Sequence, residues 1–361
     1  MAFSGNIFIF SGDTGSGKTT LLADWAKNSP NVGGIVSPVI NGKRHFVNVG
    51  SGDECLMESQ EGTLKVGRFT FNEDAFDWAG RSVLSLFQSN LEWIIIDETG
   101  PLELKQEKGF HQLITQILQN NGPHRAKLLF VVRAALTEKF VNKYGLNKAK
   151  ILPRLFFNGN SFPPLAGIVL CGGESSRMKM DKAVLQFGDL PQWKLLHQML
   201  NLFCDEVLIS VNENQSASWP ENHSGTLVTD KEKYRSKGPL TGILSCMEGR
   251  DQGCFIVAVD YPLLKTEHLI ALYNARNFTA EAVCFTIEGR TEPLVSILEP
   301  AAVAKLKKFT AGGGNSLNKF LRAIRTDKVE LPDMSFMLNV NTQDEFQKLA
   351  SHLEHLGLTD T

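Results

Sequence analysis

Two stretches of the chain repeat one pattern: an apolar run, a glycine-rich turn, then apolar residues at helical spacing. NIFIFSGDTGSGKTTLLADWA opens the first half and LAGIVLCGGESSRMKMDKAVL opens the second. Strand, turn and helix in that order make the opening unit of an α/β domain. Within the first half, WIIIDETG (Trp93 to Gly100) and AKLLFVVR (Ala126 to Arg133) are continuous apolar runs. Such runs mark strands of a parallel sheet covered on both faces. FHQLITQILQN, between them, has helical spacing. DEVLISVN, GCFIVAVD and AEAVCFTI are the equivalent runs of the second half. The tail TQDEFQKLASHLEHL starts on Thr342 with Glu345 three positions later, a capping pattern that predicts a terminal helix. FFNGNSFPPL, Phe156 to Leu165, has the Asn, Gly, Ser and Pro of a linker. The expected organisation is an α/β domain over 1–158, a linker over 159–164 and a second α/β domain over 165–361.

Composition narrows the class. A length of 361 residues suits two domains, or three, and 42% apolar residues provide for substantial cores. The formal net charge of -2 lacks the basic excess of a general nucleic-acid binder, so no nucleic-acid partner is expected. None of the 6 cysteines forms a CxxC pair. Most sit in or beside apolar runs, where a reduced thiol acts as a small hydrophobe. The first apolar run follows no basic segment and ends in a glycine-rich turn, unlike a leader. No run reaches the roughly 18 apolar residues of a membrane span. A soluble, cytoplasmic chain without a membrane partner is the expectation.

GDTGSGKT, Gly12 to Thr19, matches G-x-x-x-x-G-K-[ST] after a strand and before a helix. Gly12, Asp13, Thr14, Gly15, Ser16 and Gly17 form a loop whose backbone N–H groups converge on a phosphate. Lys18 reaches the β and γ phosphates, and Thr19 ligates Mg²⁺ through its hydroxyl. Asp97, at the end of the run IIID, completes the Mg²⁺ shell, and Glu98 polarises attacking water. Glu103 is a weaker acid candidate. Arg133, ending LLFVVR, reads either as a phosphate contact or as a solvated strand-end arginine. Arg68 carries the same two readings.

GDTGSGKTTL, GGIVSPVI, GRFTFNEDAF and IIIDETGPLEL together resemble the nucleoside-triphosphatase family first described from thermophiles, over roughly residues 5–155. The resemblance implies Mg²⁺-dependent hydrolysis of ATP or another nucleoside triphosphate with little base selectivity. It implies that Lys18 and Thr19 hold phosphate and metal, that Asp97 and Glu98 are the acidic pair, and that Arg133 is the family's arginine. GKRHFVNV, Gly42 to Val49, departs from the family's glycine-rich loop and places His45 in that neighbourhood.

The second loop, LCGGESSRMKMDKA, lacks G-K-[ST]. From Leu170 and Cys171, Gly172 and Gly173 allow tight backbone passage around a nucleotide. Arg177 and Lys182 bring positive charge to a triphosphate that loses pyrophosphate. Further on, GPLTG starts with Gly238 and Pro239 and includes Gly242, a turn against which a base or ribose packs, with Asp230 nearby. Asp260 follows the run FIVAV at the carboxyl end of a strand, where open α/β sheets bind ligands. It is a Mg²⁺ carboxylate candidate, with Asn341 as second ligand. Asn339 and Asn341 also suit a turn before the terminal helix.

These pieces, over about 165–361, resemble the molybdopterin guanylyltransferases. The family motif G-G-x-S-x-R-M-G-x-D-K reads here from Gly172 to Lys182, with Lys179 in place of the third glycine. NTQ stands where the family has Asn-Thr-Pro, and Thr291 interrupts an Arg-Glu-Pro-Leu element at Arg290, Glu292, Pro293 and Leu294. The resemblance implies a Rossmann-like nucleotidyltransferase sheet and Mg²⁺. It implies GTP as donor and molybdopterin as acceptor, with Arg177, Lys182 and Asp260 as working groups. The chain then reads as α/β with two domains, a P-loop NTPase domain followed by that nucleotidyltransferase domain. The first domain cleaves between β and γ phosphates, and the second between α and β. Molybdoenzymes or other cofactor-maturation proteins fit as partners. Cytidylyl transfer, a sugar-1-phosphate acceptor, and a non-enzymatic P-loop switch docking a molybdoenzyme stay open as alternatives.

Overall fold

A computed structural model describes residues 6–119, 126–159, 161, 163–172, 190–219, 225–340 and 345. The chain divides into two compact units, Met1–Ser161 and Phe162–Thr361. Among the described residues no helix is long and apolar enough to cross a membrane.

The first unit runs β1 (Ile7–Gly12), α1 (Lys18–Lys27), β2 (Val32–Val36), β3 (Val39–Ile40), β4 (Lys43–Asn48), β5 (Glu54–Leu56), β6 (Leu64–Val66), β7 (Phe69–Phe71) and α2 (Glu73–Leu86). It continues with β8 (Trp93–Thr99), α3 (His111–Gln119), β9 (Lys127–Arg133), α4 (Thr137–Tyr144) and β10 (Lys150–Ile151). Its main sheet has the order β10-β1-β9-β8-β2-β4-β3, with β5 on β4. Strands β10, β1, β9, β8 and β2 are parallel. Ile9, Ile94, Ile95, Leu128 and Leu129 are fully buried, as strands apolar on both faces require. The hairpin strands β3, β4 and β5 add antiparallel pairs beyond β2. The start of FFNGNSFPPL belongs to the first unit's core. Phe157 packs on Phe10 and Trp25 with ring centroids 4.4 and 5.2 Å away. Phe156 lies 6.0 Å from Trp25. The phenylalanines therefore close the first unit's core.

The second unit runs β11 (Leu165–Leu170), α5 (Gln192–Asn201), β12 (Glu206–Val211), α6 (Glu213–Ser218), β13 (Thr226–Thr229), α7 (Pro239–Cys246) and β14 (Gly253–Ala258). There follow α8 (Thr266–Asn274), β15 (Ala282–Ile287), β16 (Arg290–Leu298), α9 (Pro300–Ala311), α10 (Leu317–Ala323) and β17 (Thr326–Val329). The sheet order is β13-β12-β11-β14-β16-β15-β17. β13, β12, β11 and β14 are parallel, while β16 runs antiparallel to both β14 and β15. Chain order reverses around β11, whose neighbours are β12 and β14, so its carboxyl end opens on a crevice. The helix expected after the second glycine turn and the terminal helix predicted from Thr342 fall outside the described residues, apart from helical Glu345.

Candidate active sites

In the first unit the carboxyl ends of β1, β9 and β8 converge. Gly12 is level with Arg133 on the neighbouring strand. Gly15 and Gly17 both have φ of 77°, the left-handed region that a glycine adopts without a Cβ clash. Gly17 caps α1 with no side-chain bond, leaving the first-turn N–H groups to an anion. Lys18 Nζ donates to the carbonyls of Gly12 at 2.8 Å and Asp13 at 2.7 Å, which holds the loop in a ring. Burial pushes the Lys18 ammonium below its usual pKa, against the carboxylates of Asp97 and Glu98.

The acids follow from a break in the β8–β9 register between Ile96 and Thr99. Asp97 is buried, and its Oδ2 accepts from Thr19 Oγ1 at 2.9 Å, Ser37 N at 3.0 Å and Ser37 Oγ at 2.9 Å. Glu98 N donates to Asp97 Oδ1 at 2.8 Å. Glu98 itself has φ of 69°, rare for a residue with a Cβ, of the kind found where a side chain is held for use. Its Oε1 lies 2.6 Å from Arg44 Nη1 and 3.7 Å from Arg133 Nη2. Burial, then the charge of Asp97, raises the Glu98 pKa; Arg44, Arg133 and Lys18 oppose the shift. Glu103 is buried in a π-helical turn, Leu102–Gln106, and accepts from the N–H groups of Gly100 at 2.7 Å and Phe110 at 2.8 Å. Burial nevertheless pushes its pKa up to about 7.

A cavity of about 470 Å³ joins Thr14 to Thr19, Asp97, Glu98, Glu103 and Arg133 to an apolar wall. Gly12 and Asp13 contribute through their carbonyls to Lys18. Arg68 is not part of this lining; its guanidinium lies 5.0 Å from the Phe69 ring centre. His45 also lies outside the lining, its Nδ1 3.1 Å from the Lys43 carbonyl. Sequence reasoning missed Ser37 and Arg44. Only the strand order, which sets β2 and β4 beyond β8, brings them to the acids.

In the second unit a cavity of about 730 Å³ gathers Leu170, Cys171, Gly172, Asp230, Gly238, Pro239, Gly242 and Asp260. The loop's start is pinned: Cys171 N and Gly172 N donate to the Ser210 carbonyl at 3.0 and 3.2 Å, and Gln215 Nε2 donates to the Cys171 carbonyl at 2.9 Å. Asp230 N donates to the Val211 carbonyl, while its Oδ1 is buried without a hydrogen-bond partner among the described residues and burial raises its pKa. Gly238 has φ of 57° and Pro239 occupies the first position of α7, where its missing N–H costs nothing. The carbonyl of Asp260 accepts from Val340 N at 3.0 Å, bringing the chain just before Asn341 to the metal candidate. The bulge between β15 and β16 sets Phe285 opposite Glu292 but Cys284 opposite Ser296, and Leu294 in the extra loop lines the cavity. Ser210, Arg235 and Glu213, which line it too, were not foreseen. Gly173, Arg177, Lys182 and Asn341 lie outside the described residues.

Residues 6–153 match the family described as NTPase, and residues 167–329 match the MobA-like NTP transferase domain. A probable molybdenum cofactor guanylyltransferase of Mycobacterium avium is 32% identical over 193 residues, covering 52% of this chain and 95% of its own. A molybdenum cofactor biosynthesis bifunctional protein of Synechocystis is 24% identical over 189 residues, 52% of this chain and 54% of its own. The crystal structure of THEP1 from Aquifex aeolicus is 22% identical, covers 40% of this chain and 88% of that one, and has a TM-score of 0.33.

Proposed function

The chain belongs to the molybdenum cofactor guanylyltransferase family through its second unit and carries an NTPase-family domain in its first, and from that premise we propose a bifunctional enzyme of molybdenum cofactor maturation. The domain over 165–361 transfers GMP from GTP to the terminal phosphate of molybdopterin and releases pyrophosphate. The domain over 1–158 hydrolyses nucleoside triphosphates, and residues 159–164 link them. One observation carries the transferase reading: Leu170 to Gly172, Asp230, Gly238, Pro239 and Asp260, far apart in sequence, line one cavity at the carboxyl ends of β11 and β14.

In that cavity the backbone from Leu170 to Gly172 and the turn at Gly238 and Pro239 hold the nucleotide, with Asp230 on its polar edge. Arg177 and Lys182 take the β and γ phosphates as the bond between α-phosphorus and the bridging oxygen breaks. The terminal phosphate of the acceptor is already anionic near neutral pH, so positioning and charge neutralisation carry the reaction. In the first domain Lys18 holds phosphate, Arg133 offsets its charge and Glu98 orients the attacking water.

The donor sets suit Mg²⁺, a hard cation that binds through one or two carboxylates and keeps its waters. Thr19 Oγ1 and Asp97 Oδ2, 2.9 Å apart, would hold it in the first domain; Asp260, with Asn341, would hold it in the second. When bound it neutralises phosphate charge.

The test incubates full-length protein with labelled GTP or CTP, Mg²⁺ and molybdopterin, beside the Lys18→Ala variant. Labelled pterin dinucleotide from GTP but not CTP, persisting in Lys18→Ala, is expected. Phosphate release alone, lost in Lys18→Ala, would leave hydrolysis as the activity and overturn the transferase assignment.

A further inference from the structure

The first unit's cavity continues past its acids into an apolar chamber. Contacts step outward from the phosphate loop: Thr19 to Asp97 at 2.9 Å, Glu98 to Arg44 at 2.6 Å, and the Arg44 guanidinium 5.0 Å from the Phe69 ring centre. Val39, Val66, Phe69 and Leu102 wall the space there. On the loop's other flank, after β10, Arg154 Nη1 donates to the Ser16 carbonyl at 2.6 Å. The sheet order sets β10 on one side of β1 and β9, β8, β2 and β4 on the other. The chamber is therefore on the side of the carboxylates, where the group attacking the γ-phosphorus must stand.

A water molecule needs about 30 Å³ and polar partners, not an apolar wall. Small-molecule sites are built in the opposite way, from apolar and aromatic walls with a few placed polar groups. Val39 is 64% exposed on a two-residue strand at this wall, an apolar side chain that a ligand would cover. We propose that the chamber seats a second substrate, an alcohol with a flat apolar body, and that the first domain transfers the γ-phosphoryl group to its hydroxyl.

The inference rests on reading Gly12 to Thr19 as a nucleoside triphosphate site. The acceptor oxygen bonds to the γ-phosphorus as the bond from that phosphorus to the β–γ bridging oxygen breaks. The electron pair of the broken bond leaves on the nucleoside diphosphate. The hydroxyl proton passes to an oxygen of the transferred phosphoryl group, and the product is a phosphate monoester. Glu98 orients the hydroxyl by accepting its hydrogen bond. Arg44 is a positioning residue, since it holds Glu98 and backs Phe69. With the chamber empty, water takes the acceptor's place and hydrolysis results.

The experiment gives full-length protein γ-labelled ATP, Mg²⁺ and naphthylmethanol, with ethanol at equal concentration as the acceptor lacking an apolar body. Labelled naphthylmethyl phosphate and inorganic phosphate are separated. An ester-to-phosphate ratio about tenfold above that with ethanol is expected. Phe69→Ala and Val39→Glu should each return it toward the ethanol value; Val39 is exposed, so its replacement leaves the core intact. Phosphate release with no ester above the ethanol level overturns the second substrate and leaves the hydrolase standing. A ratio unmoved by both substitutions overturns the chamber as its seat. Neither product overturns the phosphate-loop reading itself, and the proposal with it.

Discussion

The hydroxyl of Thr19 donates to the carboxylate of Asp97 at 2.9 Å across 78 residues of chain. Both donors of Ser37 meet the same oxygen and Glu98 N meets the other, so the carboxylate is oriented by four hydrogen bonds before any ligand arrives. Asp97→Asn keeps the shape but sets an amide NH₂ against either these donors or Glu98 N. It should lower triphosphate hydrolysis by about 100-fold, in the range lost with an electrostatic group of a phosphoryl site. The unsatisfied contact should also cost about 1–3 kcal/mol of stability. Phosphate release and thermal unfolding of the same variant check both; hydrolysis within a few-fold of the parent rejects the metal role.

Arg44 reaches Glu98 from the hairpin strand β4, with its guanidinium nitrogen 2.6 Å from the carboxylate. Glu98 carries the left-handed backbone of a held residue, and Arg133 stands farther away at 3.7 Å. Arg44→Met should therefore release the carboxylate while leaving the phosphate loop whole. The expected signature is a fall in kcat of about tenfold with KM for the nucleotide nearly unchanged, partly restored by Arg44→Lys. A rise in KM alone would mean that Arg44 binds nucleotide instead.

Sequence order explains which groups were legible. The G-x-x-x-x-G-K-[ST] loop, Asp97 and the GPLTG turn are local patterns whose geometry follows from neighbours in the chain, and Thr14 to Thr19, Asp97, Gly238, Pro239 and Gly242 line the cavities. Ser37 and Arg44 belong to no such pattern. They reach the acids because β2 lies beside β8 and β4 beside β2, and apolar periodicity does not encode strand order. Antiparallel β16 was hidden for a similar reason. Pro293 to Val295 have no partner on β15, and that bulge places Leu294 in the wall. Phe156 and Phe157 stand beside the Asn, Gly and Pro of the linker, and only the fold shows their rings closing on Trp25. The opposite case is Arg68, an attractive charge in sequence that lies over Phe69 instead of lining the phosphate cavity.

Glu103 gives the first unit a pH dependence. Burial holds its carboxyl protonated up to about 7, despite two backbone N–H donors that favour the anion. Between the unfolded value of 4.5 and that point the folded chain binds the extra proton. This contribution is full below the unfolded pKa and is lost as pH rises through the folded one, at up to ~1.4 kcal/mol per pH unit. Glu103→Gln cannot titrate. Thermal unfolding of parent and variant across this interval should give a difference that shrinks steadily as pH rises. A constant difference would mean that Glu103 is ionised throughout.

Gly242 sits in the first turns of α7, pressed on β12. A Cβ built there would lie 2.2 Å from Ser210 Oγ and 3.1 Å from a Leu170 methyl. Ser210 is fully buried, and its carbonyl holds Cys171 and Gly172 at the start of the loop. Ser210 therefore cannot retreat from an alanine without moving the loop that lines the second unit's cavity. Gly242→Ala should cost about 1–3 kcal/mol by overpacking and should raise KM for GTP. Ser210→Gly removes the closest atom, so the double variant should recover part of the stability, a coupling that a cycle of the four proteins measures. Independent, additive losses would mean that α7 relaxes elsewhere.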